Sequence, residues 1–304
     1  MRVVFMGTPD FAVPTLDALV ASEHEVICVV AQPDRPKGRG KKLQSPDTVV
    51  RARELGIAVR QPRAIKRGPF PEWLEQSGAD VAVVVAYGRI LTERLLCAPR
   101  LGCINVHASL LPKYRGAAPI HWAVMRGETE TGVATMQMDA GLDTGDVLLE
   151  SRTDIGPDET AGDLWNRLSH MGADLLIRTL NDLDSIAPKP QDHDLATHAP
   201  LMTKDVGLVD WAWTAEKVHN RVRGSTPWPG AYTTFRGERF KLRSSRITNG
   251  RGEPGTVIEA DKKLVVACGE GALELVMAQL AGKPVRSGFD LINGARIRPG
   301  ERLG

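Results

Sequence analysis

Cysteine is scarce in this chain, and its four residues, Cys28, Cys97, Cys103 and Cys268, include no C-x-x-C pair. This spacing argues against a disulfide scaffold and a cysteine-rich zinc site, so we expect all four thiols to be buried core residues. The sequence also has no run of about 18 apolar residues, as a transmembrane helix would require. The apolar stretch after Met1 is too short for a signal peptide, and we therefore expect a cytoplasmic protein.

Two common nucleotide-binding signatures are missing as well. A dinucleotide-binding fold has G-x-G-x-x-G after its first strand, whereas the turn after Val3–Met6 is Gly7-Thr8-Pro9-Asp10. Proline and aspartate stand where glycines would let a pyrophosphate approach the backbone. No G-x-x-x-x-G-K-[S/T] P-loop occurs either. These absences disfavour nicotinamide and ATP chemistry.

The 304 residues suffice for two domains. Apolar runs without polar alternation, such as residues 80–86, are typical of strands buried on both faces of a parallel sheet. They alternate with helical patterns up to residue 185, which predicts an open α/β sheet. Short runs between residues 231 and 280, separated by Gly, Asn and Pro, predict a small β-barrel. The proline-containing, aperiodic stretch before it predicts a linker.

Charge is unevenly distributed along the chain, although the formal net charge is only +2. Residues 209–304 contain 16 Lys and Arg against 10 Asp and Glu, whereas residues 1–208 contain 23 against 27. A basic C-terminal third is typical of proteins with a polyanionic partner such as nucleic acid. A solvated basic surface without a partner explains the same counts equally well, so charge alone leaves both open.

Polar residues cluster where a strand should end. Asn105 and His107 stand two residues apart on the strand 102–107, so their side chains share a face. A carboxylate from the turn 139–146 could orient the imidazole, and an amide, an imidazole and a carboxylate are the groups that acyl transfer needs. The alternative is structural, with the histidine bonded to a backbone carbonyl and the aspartates capping turn amides. Residue types alone favour this alternative.

Motifs along nearly the whole chain resemble, in the same order, those of the methionyl-tRNA formyltransferases, a branch of the folate-dependent formyltransferase family. The matching segments are 5–11 (FMGTPDF), 32–36 (QPDRP), 38–42 (GRGKK), 85–88 (VAYG), 102–107 (GCINVH), 109–112 (SLLP), 114–120 (YRGAAPI), 132–133 (GV), 136–139 (MQMD), 141–146 (GLDTGD), 210–211 (DW) and 227–229 (PWP).

The resemblance implies a Rossmann-like catalytic domain with a parallel or mixed sheet over residues 1–185, a linker over 186–208 and an OB-like β-barrel that binds tRNA over 209–304. It also implies an enzyme of translation initiation, which transfers the formyl group of 10-formyltetrahydrofolate to the α-amino group of methionine on initiator methionyl-tRNA. No metal is implied, and we expect a monomer because no heptad pattern or extra apolar helix is present.

By the same resemblance, the amine attacks directly, and Asn105 and His107 stabilise the oxyanion of the tetrahedral intermediate while Asp143 orients His107. The residues implied to bind folate are Ala86, Tyr87, Gly88, Ser109, Leu110, Leu111, Pro112, Ala140, Gly141 and Leu142. Apolar walls with backbone hydrogen-bonding groups at their edges suit a flat pterin ring.

Two basic regions are implied to contact tRNA. The first is a glycine-rich cationic loop containing Lys37, Arg39, Lys41 and Lys42, of which Arg39 is the residue to single out. The second is the barrel, with Arg221, Arg223, Arg239, Lys241 and Arg243 as candidates. We expect Trp211, Trp213 and Trp228 to be core or interface anchors and not base-stacking platforms.

Four rival functions remain. A formyltransferase acting on a sugar-nucleotide amine would share the catalytic set and the second domain but would not need the cationic loop, and one acting on glycinamide ribonucleotide would lack the C-terminal third. A hydrolase could instead release formate from the folate. A non-catalytic RNA-binding protein would have no use for an intact set of Asn105, His107 and Asp143.

Overall fold

The computed structural model describes residues 1–37, 40 and 42–304, with the main chain alone at residue 37. The chain divides into two compact units. The first comprises Met1–Pro119, Thr131–Thr153 and Trp165–Ala199, and the second comprises Ile120–Glu130, Asp154–Leu164 and Pro200–Gly304. The expected domain boundaries at 185 and 209 stay a prediction. Two segments that precede residue 165 in the chain belong to the second unit.

Strands and helices alternate over the first 200 residues. The strands are β1 (Arg2–Gly7), β2 (Glu25–Val30), β3 (Arg35–Lys37), β4 (Lys42–Gln44), β5 (Val59–Arg60), β6 (Val81–Val85), β7 (Cys103–His107), β8 (Arg115–Gly116), β9 (Glu130–Gln137), β10 (Val147–Asp154) and β11 (His198–Ala199). The helices are α1 (Val13–Val20), α2 (Asp47–Glu54), α3 (Pro69–Gln76), α4 (Glu93–Leu96), α5 (Pro119–Met125) and α6 (Ala161–Asn181). Short 3₁₀ turns span Asp10–Ala12, His193–Leu195 and Lys204–Gly207.

Seven strands form one sheet in the order β10-β9-β7-β6-β1-β2-β5. The pairs β1–β2, β1–β6, β6–β7 and β2–β5 are parallel, and β9 runs antiparallel to β7. Every residue of β6 is buried, which explains why this strand reads as an unbroken apolar run. The mixed α/β sheet expected from the sequence is confirmed.

The carboxyl ends of β1, β6 and β7 lie side by side. Gly7 is opposite Val85, and Val84 is opposite Asn105. The chain leaves β1 towards β2 on one side and later fills the other side with β6, so the strand order reverses between β1 and β6. In open α/β sheets, ligands bind outside the carboxyl ends of the strands at such a reversal.

Parts of residues 186–199 pair with other backbone of the first unit. Strand β11 runs parallel to β8, with His198 opposite Arg115 and Ala199 opposite Gly116. Lys189 exchanges two main-chain hydrogen bonds with Val147, of 2.8 and 2.9 Å. A linker over 186–208 stays a prediction, but this part of it is not an unpaired spacer.

The second unit is built on an antiparallel sheet in the order β12-β13-β16-β15-β14, with β17 beside β16. Its elements are α7 (Ala215–Gly224), β12 (Ala231–Phe235), β13 (Glu238–Thr248), β14 (Val257–Ala260), β15 (Leu264–Ala267), β16 (Ala272–Leu280), β17 (Arg286–Ser287) and α8 (Gly288–Ala295). Near the C-terminus, Leu303 bridges Phe235 and Arg302 bridges Thr256. The last residues of the chain therefore pair beside both edge strands, which gives the sheet the closure of a barrel.

Three of the four cysteines are buried, as expected. Burial raises the pKa of Cys28 to about 11 and the pKa of Cys103 and Cys268 to about 12. Cys97 is exposed, so the expectation that all four thiols are buried is wrong there. Cys97 caps the short helix α4 with its N–H on the carbonyl of Glu93, and such helix ends face solvent more often than helix centres. None of the helices in the described part of the chain is long and apolar enough to span a membrane.

A buried histidine couples the stability of the second unit to pH. His219 on α7 is 5% exposed, with Nδ1 3.0 Å from Ser245 Oγ and Nε2 3.1 Å from the carbonyl of Pro157. Burial lowers the pKa of His219 below its usual 6.5. The unfolded chain therefore takes up the proton first, and the stability that the neutral imidazole contributes is present above pH 6.5 and lost as the pH falls.

We expect the melting temperature of the wild-type protein to fall between pH 7 and pH 5, and to fall less in His219→Gln, which cannot titrate. His24 and His121 also have pKa values lowered by burial, so the variant should retain a residual slope. Thermal unfolding at half-unit pH steps measures both slopes. Equal slopes in the two proteins would remove His219 from the pH dependence.

Candidate active site

Strand β7 holds two polar side chains inside the sheet. Asn105 is 8% exposed and His107 is 6% exposed, and their spacing of two residues places them on the same face, about 7 Å apart. Ile104 and Val106 alternate with them and are buried. The amide of Asn105 forms no hydrogen bond with any residue that the structure describes. A buried amide of this kind is available to bind a ligand oxygen.

His107 and Asp143 meet beside the segment Tyr114–Gly116. The Nε2 atom of His107 lies 3.0 Å from the carbonyl oxygen of Tyr114, and because a carbonyl only accepts, Nε2 carries the hydrogen. Its Nδ1 atom lies 3.8 Å from Oδ2 of Asp143, a distance at which a protonated imidazole forms an ion pair. The same Oδ2 atom accepts a hydrogen bond of 2.7 Å from the amide of Gly116.

The other two aspartates of the turn have different surroundings. Oδ1 of Asp139 accepts from the amide of Gly141 at 3.0 Å and from the hydroxyl of Thr144 at 2.6 Å, so it caps the turn. Asp146 is exposed. Of the three carboxylates, the structure therefore brings Asp143 to the imidazole, and the capping role proposed as the structural alternative belongs to Asp139.

Unusual backbone conformations surround this pair. Tyr114, Asp143 and Ala86, the residue directly after β6, have positive φ angles of 61°, 53° and 47°. For residues other than glycine this region costs roughly 1–2 kcal/mol each. It persists only where neighbouring bonds impose it. At Tyr114 the main-chain amide donates to Oγ1 of Thr197 at 2.8 Å.

The implied folate residues fall into three places. Leu111 and Pro112 line a cleft of about 700 Å³ together with β10 and residues 189–192. Ala140, Gly141 and Leu142 are exposed on the turn that contains Asp143, with Leu142 52% exposed. Of the others, Ser109 is buried and donates to the carbonyl of Lys113, and Leu110 is half-buried. The residues after β6, which are Ala86, Tyr87 and Gly88, do not line the 700 Å³ cleft.

The ring of Tyr87 packs in the apolar core of the first unit and is 2% exposed. Burial raises its pKa to about 12. Its carbonyl accepts from Thr8 Oγ1 and Gln32 Nε2, both at 3.1 Å. Tyr87 thus ties the ends of β1, β2 and β6 together.

The basic residues expected to contact tRNA are also divided. Arg39 and Lys41 lie outside the described residues, as does the side chain of Lys37, and Lys42 is exposed on β4. Arg239, Lys241 and Arg243 alternate with the buried Phe240 and Leu242, so these three cations form a row on the outer face of β13.

The two candidates on α7 are tied within the second unit. Arg223 is 6% exposed, and its guanidinium donates to Asn220 Oδ1 and to the carbonyls of Gly156 and Glu159. Arg221 donates to the carbonyl of Val206 at 2.6 Å and lies over the ring of Trp213. Both guanidinium groups stabilise the fold of this unit.

The tryptophans match the expectation at two positions of three. Trp211 is 4% exposed and donates to Oγ1 of Thr233, and Trp213 packs against the same core. Trp228 is 51% exposed and is therefore not a core residue, and the alternative that it is an interface anchor stays a prediction. It stands between two prolines in an irregular segment, where no side-chain period indicates burial.

Within the part of the chain that is described, no group of three or more His, Cys, Asp or Glu side chains is arranged to hold a metal ion. Sequence reasoning did miss two residues that shape the site, Thr197 and Gln191. Both lie in the stretch predicted to be a linker. In the sequence, Gln191 is marked only as a polar residue after a proline, and Thr197 only as a polar residue in an aperiodic run.

The fold and this site define a formyltransferase. The chain belongs to the formyl transferase family: the family model described as formyl transferase matches residues 1–180, and the model of the formyl transferase C-terminal domain matches residues 201–296. The resemblance seen in the sequence is thereby confirmed.

Relatives within the family narrow the comparison. The chain is 48% identical to a methionyl-tRNA formyltransferase of Geobacter metallireducens, covering 100% of this chain and 99% of the relative. It is 50% identical to a methionyl-tRNA formyltransferase of Jannaschia sp., covering 100% of both chains. A solved structure of WlaRD, a sugar 3N-formyl transferase in the presence of dTDP and 5-N-formyl-THF, has the same fold, with a TM-score of 0.70 over 93% of this chain and 99% of that chain at 18% identity.

Proposed function

We propose that this protein transfers the formyl group of 10-formyltetrahydrofolate to the α-amino group of methionine on initiator methionyl-tRNA. The main support for the proposal is sequence identity: about half of all positions are identical to those of methionyl-tRNA formyltransferases, over the full length and across both family domains. The imidazole, amide and carboxylate at the end of β7 supply the chemistry that such a transfer needs.

The attack of an amine on a formyl carbon places negative charge on the formyl oxygen. Asn105 is suited to stabilise this charge, because its buried amide has no partner among the described residues and can donate without first breaking a bond. His107 contributes a second donor when Nδ1 is protonated. Because Nε2 is held by the carbonyl of Tyr114, Nδ1 is the nitrogen that remains for the reaction.

Oδ2 of Asp143 faces Nδ1 of His107 at 3.8 Å, and this contact orients the ring. The carboxylate of Asp143 is in turn held by the amide of Gly116, so the pair does not rely on two freely rotating side chains. The incoming amine must lose a proton and the folate nitrogen must gain one. Nδ1 of His107, the ring nitrogen that is not bound to Tyr114, is the atom that we propose passes the proton between them.

The second unit supplies a surface for the nucleic acid. The outer row Arg239, Lys241 and Arg243 places three cations along one strand, about 7 Å apart. Arg239 is exposed and Lys241 half-buried, whereas Arg243 is half-buried and donates from Nη2 to Oε1 of Gln279 at 2.6 Å. Lys37, Arg39, Lys41 and Lys42 are proposed to reach the acceptor end of the tRNA. We propose that the protein acts as a monomer in the cytoplasm, where aminoacylated tRNA and folate are available.

The proposal is tested by following labelled formyl from 10-formyltetrahydrofolate to initiator methionyl-tRNA, elongator methionyl-tRNA, free methionine and an amino-sugar nucleotide. We expect product on the initiator species alone. Formylation of the amino-sugar nucleotide, or release of formate without an acceptor, would assign the same catalytic residues to a rival reaction.

Substituting Asn105 separates its proposed role in the reaction from folding. Asn105→Leu should lower kcat by about 10²–10³, the usual effect of losing one oxyanion donor. The melting temperature should stay close to that of the wild-type protein, because the amide has no bond to a described residue that the change could break. Steady-state kinetics and thermal unfolding measure the two effects. An unchanged kcat would remove Asn105 from oxyanion stabilisation.

The outer row on β13 leads to a prediction about salt dependence. The double variant Arg239→Ala/Lys241→Ala should weaken tRNA binding about tenfold near 0.1 M salt and reduce the slope of log K against log salt by about 1 to 2. Folate binding should not change. Lys262→Ala/Arg298→Ala, which removes two exposed cations of the same unit, is the matched control. If both double variants lost the same tRNA affinity, the effect would be one of net charge, and the row on β13 would have no specific role in binding.

A further inference from the structure

A buried glutamine connects the turn of Asp143 to the segment that holds it. Gln191 lies between α6 and β11 and is 8% exposed. Its Nε2 atom donates to the carbonyl of Asp143 at 3.0 Å and to the carbonyl of Gly145 at 2.6 Å. Its Oε1 atom accepts from Nε and Nη2 of Arg115, at 3.1 and 2.6 Å. The side chain therefore uses both ends of its amide.

The orientation of this amide is dictated by its neighbours. A guanidinium only donates, so Arg115 must face the amide oxygen, and the two carbonyls only accept, so they must face the amide nitrogen. Rotation of the amide by 180° would set donor against donor and acceptor against acceptor. All four contacts of Gln191 are thus satisfied in one orientation only, which makes it a rigid connection.

The hydrogen bonds form a closed ring around Asp143. Gly116 binds the carboxylate of Asp143, Arg115 is the residue next to Gly116, and Gln191 joins Arg115 to the carbonyl of Asp143. Asp143 is thereby held at its side chain by Gly116 and at its main chain by Gln191, which Arg115 binds in turn. The φ of Asp143 is 53°, a conformation that costs free energy for a residue other than glycine, and the two bonds from Gln191 help to hold the turn there, together with the cap from Asp139.

We propose that Gln191 is a positioning residue for catalysis, which sets the place of the Asp143 carboxylate relative to His107 by clamping the turn 143–145 to Arg115. In this proposal Gln191 acts through Asp143 and not on a reacting atom, although it also lies in the wall of the 700 Å³ cleft. The inference rests on the proposed formyl transfer for its kinetic consequence, whereas the clamp is a property of the free protein. A shift of about 1 Å in a group that orients the reaction can cost about 10²-fold in rate.

The test uses Gln191→Glu, which keeps the shape of the side chain and the acceptor for Arg115 but cannot donate to the carbonyls of Asp143 and Gly145. We expect kcat to fall 10- to 100-fold, by the same estimate of misplacement, with KM for both substrates within about twofold. The matched control is Gln137→Glu. Gln137 also spans two main-chain carbonyls of the first unit with its amide, those of Leu101 and Cys103, but its side chain does not contact the turn of Asp143.

Two readouts separate positioning from stability. Melting temperatures show whether both variants lose comparable stability, and only Gln191→Glu should lose kcat. The imidazole resonances of His107, assigned by their absence in His107→Gln, should shift in substrate-free Gln191→Glu and stay in place in Gln137→Glu. This second readout does not depend on activity.

Each outcome decides the proposal. A selective loss of kcat with shifted His107 resonances supports it. A wild-type kcat in Gln191→Glu overturns it, as does an equal loss of kcat and stability in both variants, which would make Gln191 merely structural. If the wild-type protein itself transfers no formyl group to methionyl-tRNA, the proposed function fails, and the His107 resonances alone then decide whether the clamp positions Asp143.

Discussion

The backbone of Tyr114–Gly116 holds both His107 and Asp143, and the geometry of the candidate active site depends on this constraint. The carbonyl of Tyr114 binds His107, and the amide of Gly116 binds Asp143. Because these two groups lie two residues apart on one backbone, main-chain geometry sets the distance between the imidazole and the carboxylate. Side chains that are free to rotate would spend much of their time apart.

The segment Tyr114–Gly116 is in turn held in place by hydrogen bonds to a distant part of the sequence. Thr197 binds the main chain of Tyr114 and Arg115, and Ala199 binds that of Ala117, about 80 residues earlier in the chain. Gly116 is required at this contact, since its φ is 120° and a Cβ atom would lie 2.7 Å from the carbonyl oxygen of Ala199. The stretch that reads as a linker therefore completes the candidate active site.

The second unit uses a simpler principle. Alternation along β13 buries Phe240 and Leu242 in the core and leaves Arg239, Lys241 and Arg243 on the outside. The alternation of side chains along β13 thus places apolar residues in the core on one face and charged residues on the other face. The bridges of Arg302 and Leu303 cover the two edge strands, whose free backbone groups would otherwise be open to pairing with another chain.

Much of this protein was readable in the sequence, because the relevant signals are local. The apolar run of β6, the shared face of Asn105 and His107 and the alternation along β13 each depend on residues a few positions apart. Likewise, the family motifs are short segments in a set order. Local patterns report which face of a strand or helix is buried, since each element has a fixed period.

Other features depend on which distant segments pack together, and only the tertiary structure decided them. It brought Asp143, which the family resemblance had already named, within 3.8 Å of His107, bound Arg223 inside its unit, and left Cys97 and Trp228 exposed. It also gave Gln191 and Thr197 their places at the site, through contacts that span 46 to 83 positions of the chain. Local periodicity does not predict such long-range contacts, because they result from the packing of whole strands, helices and loops against one another.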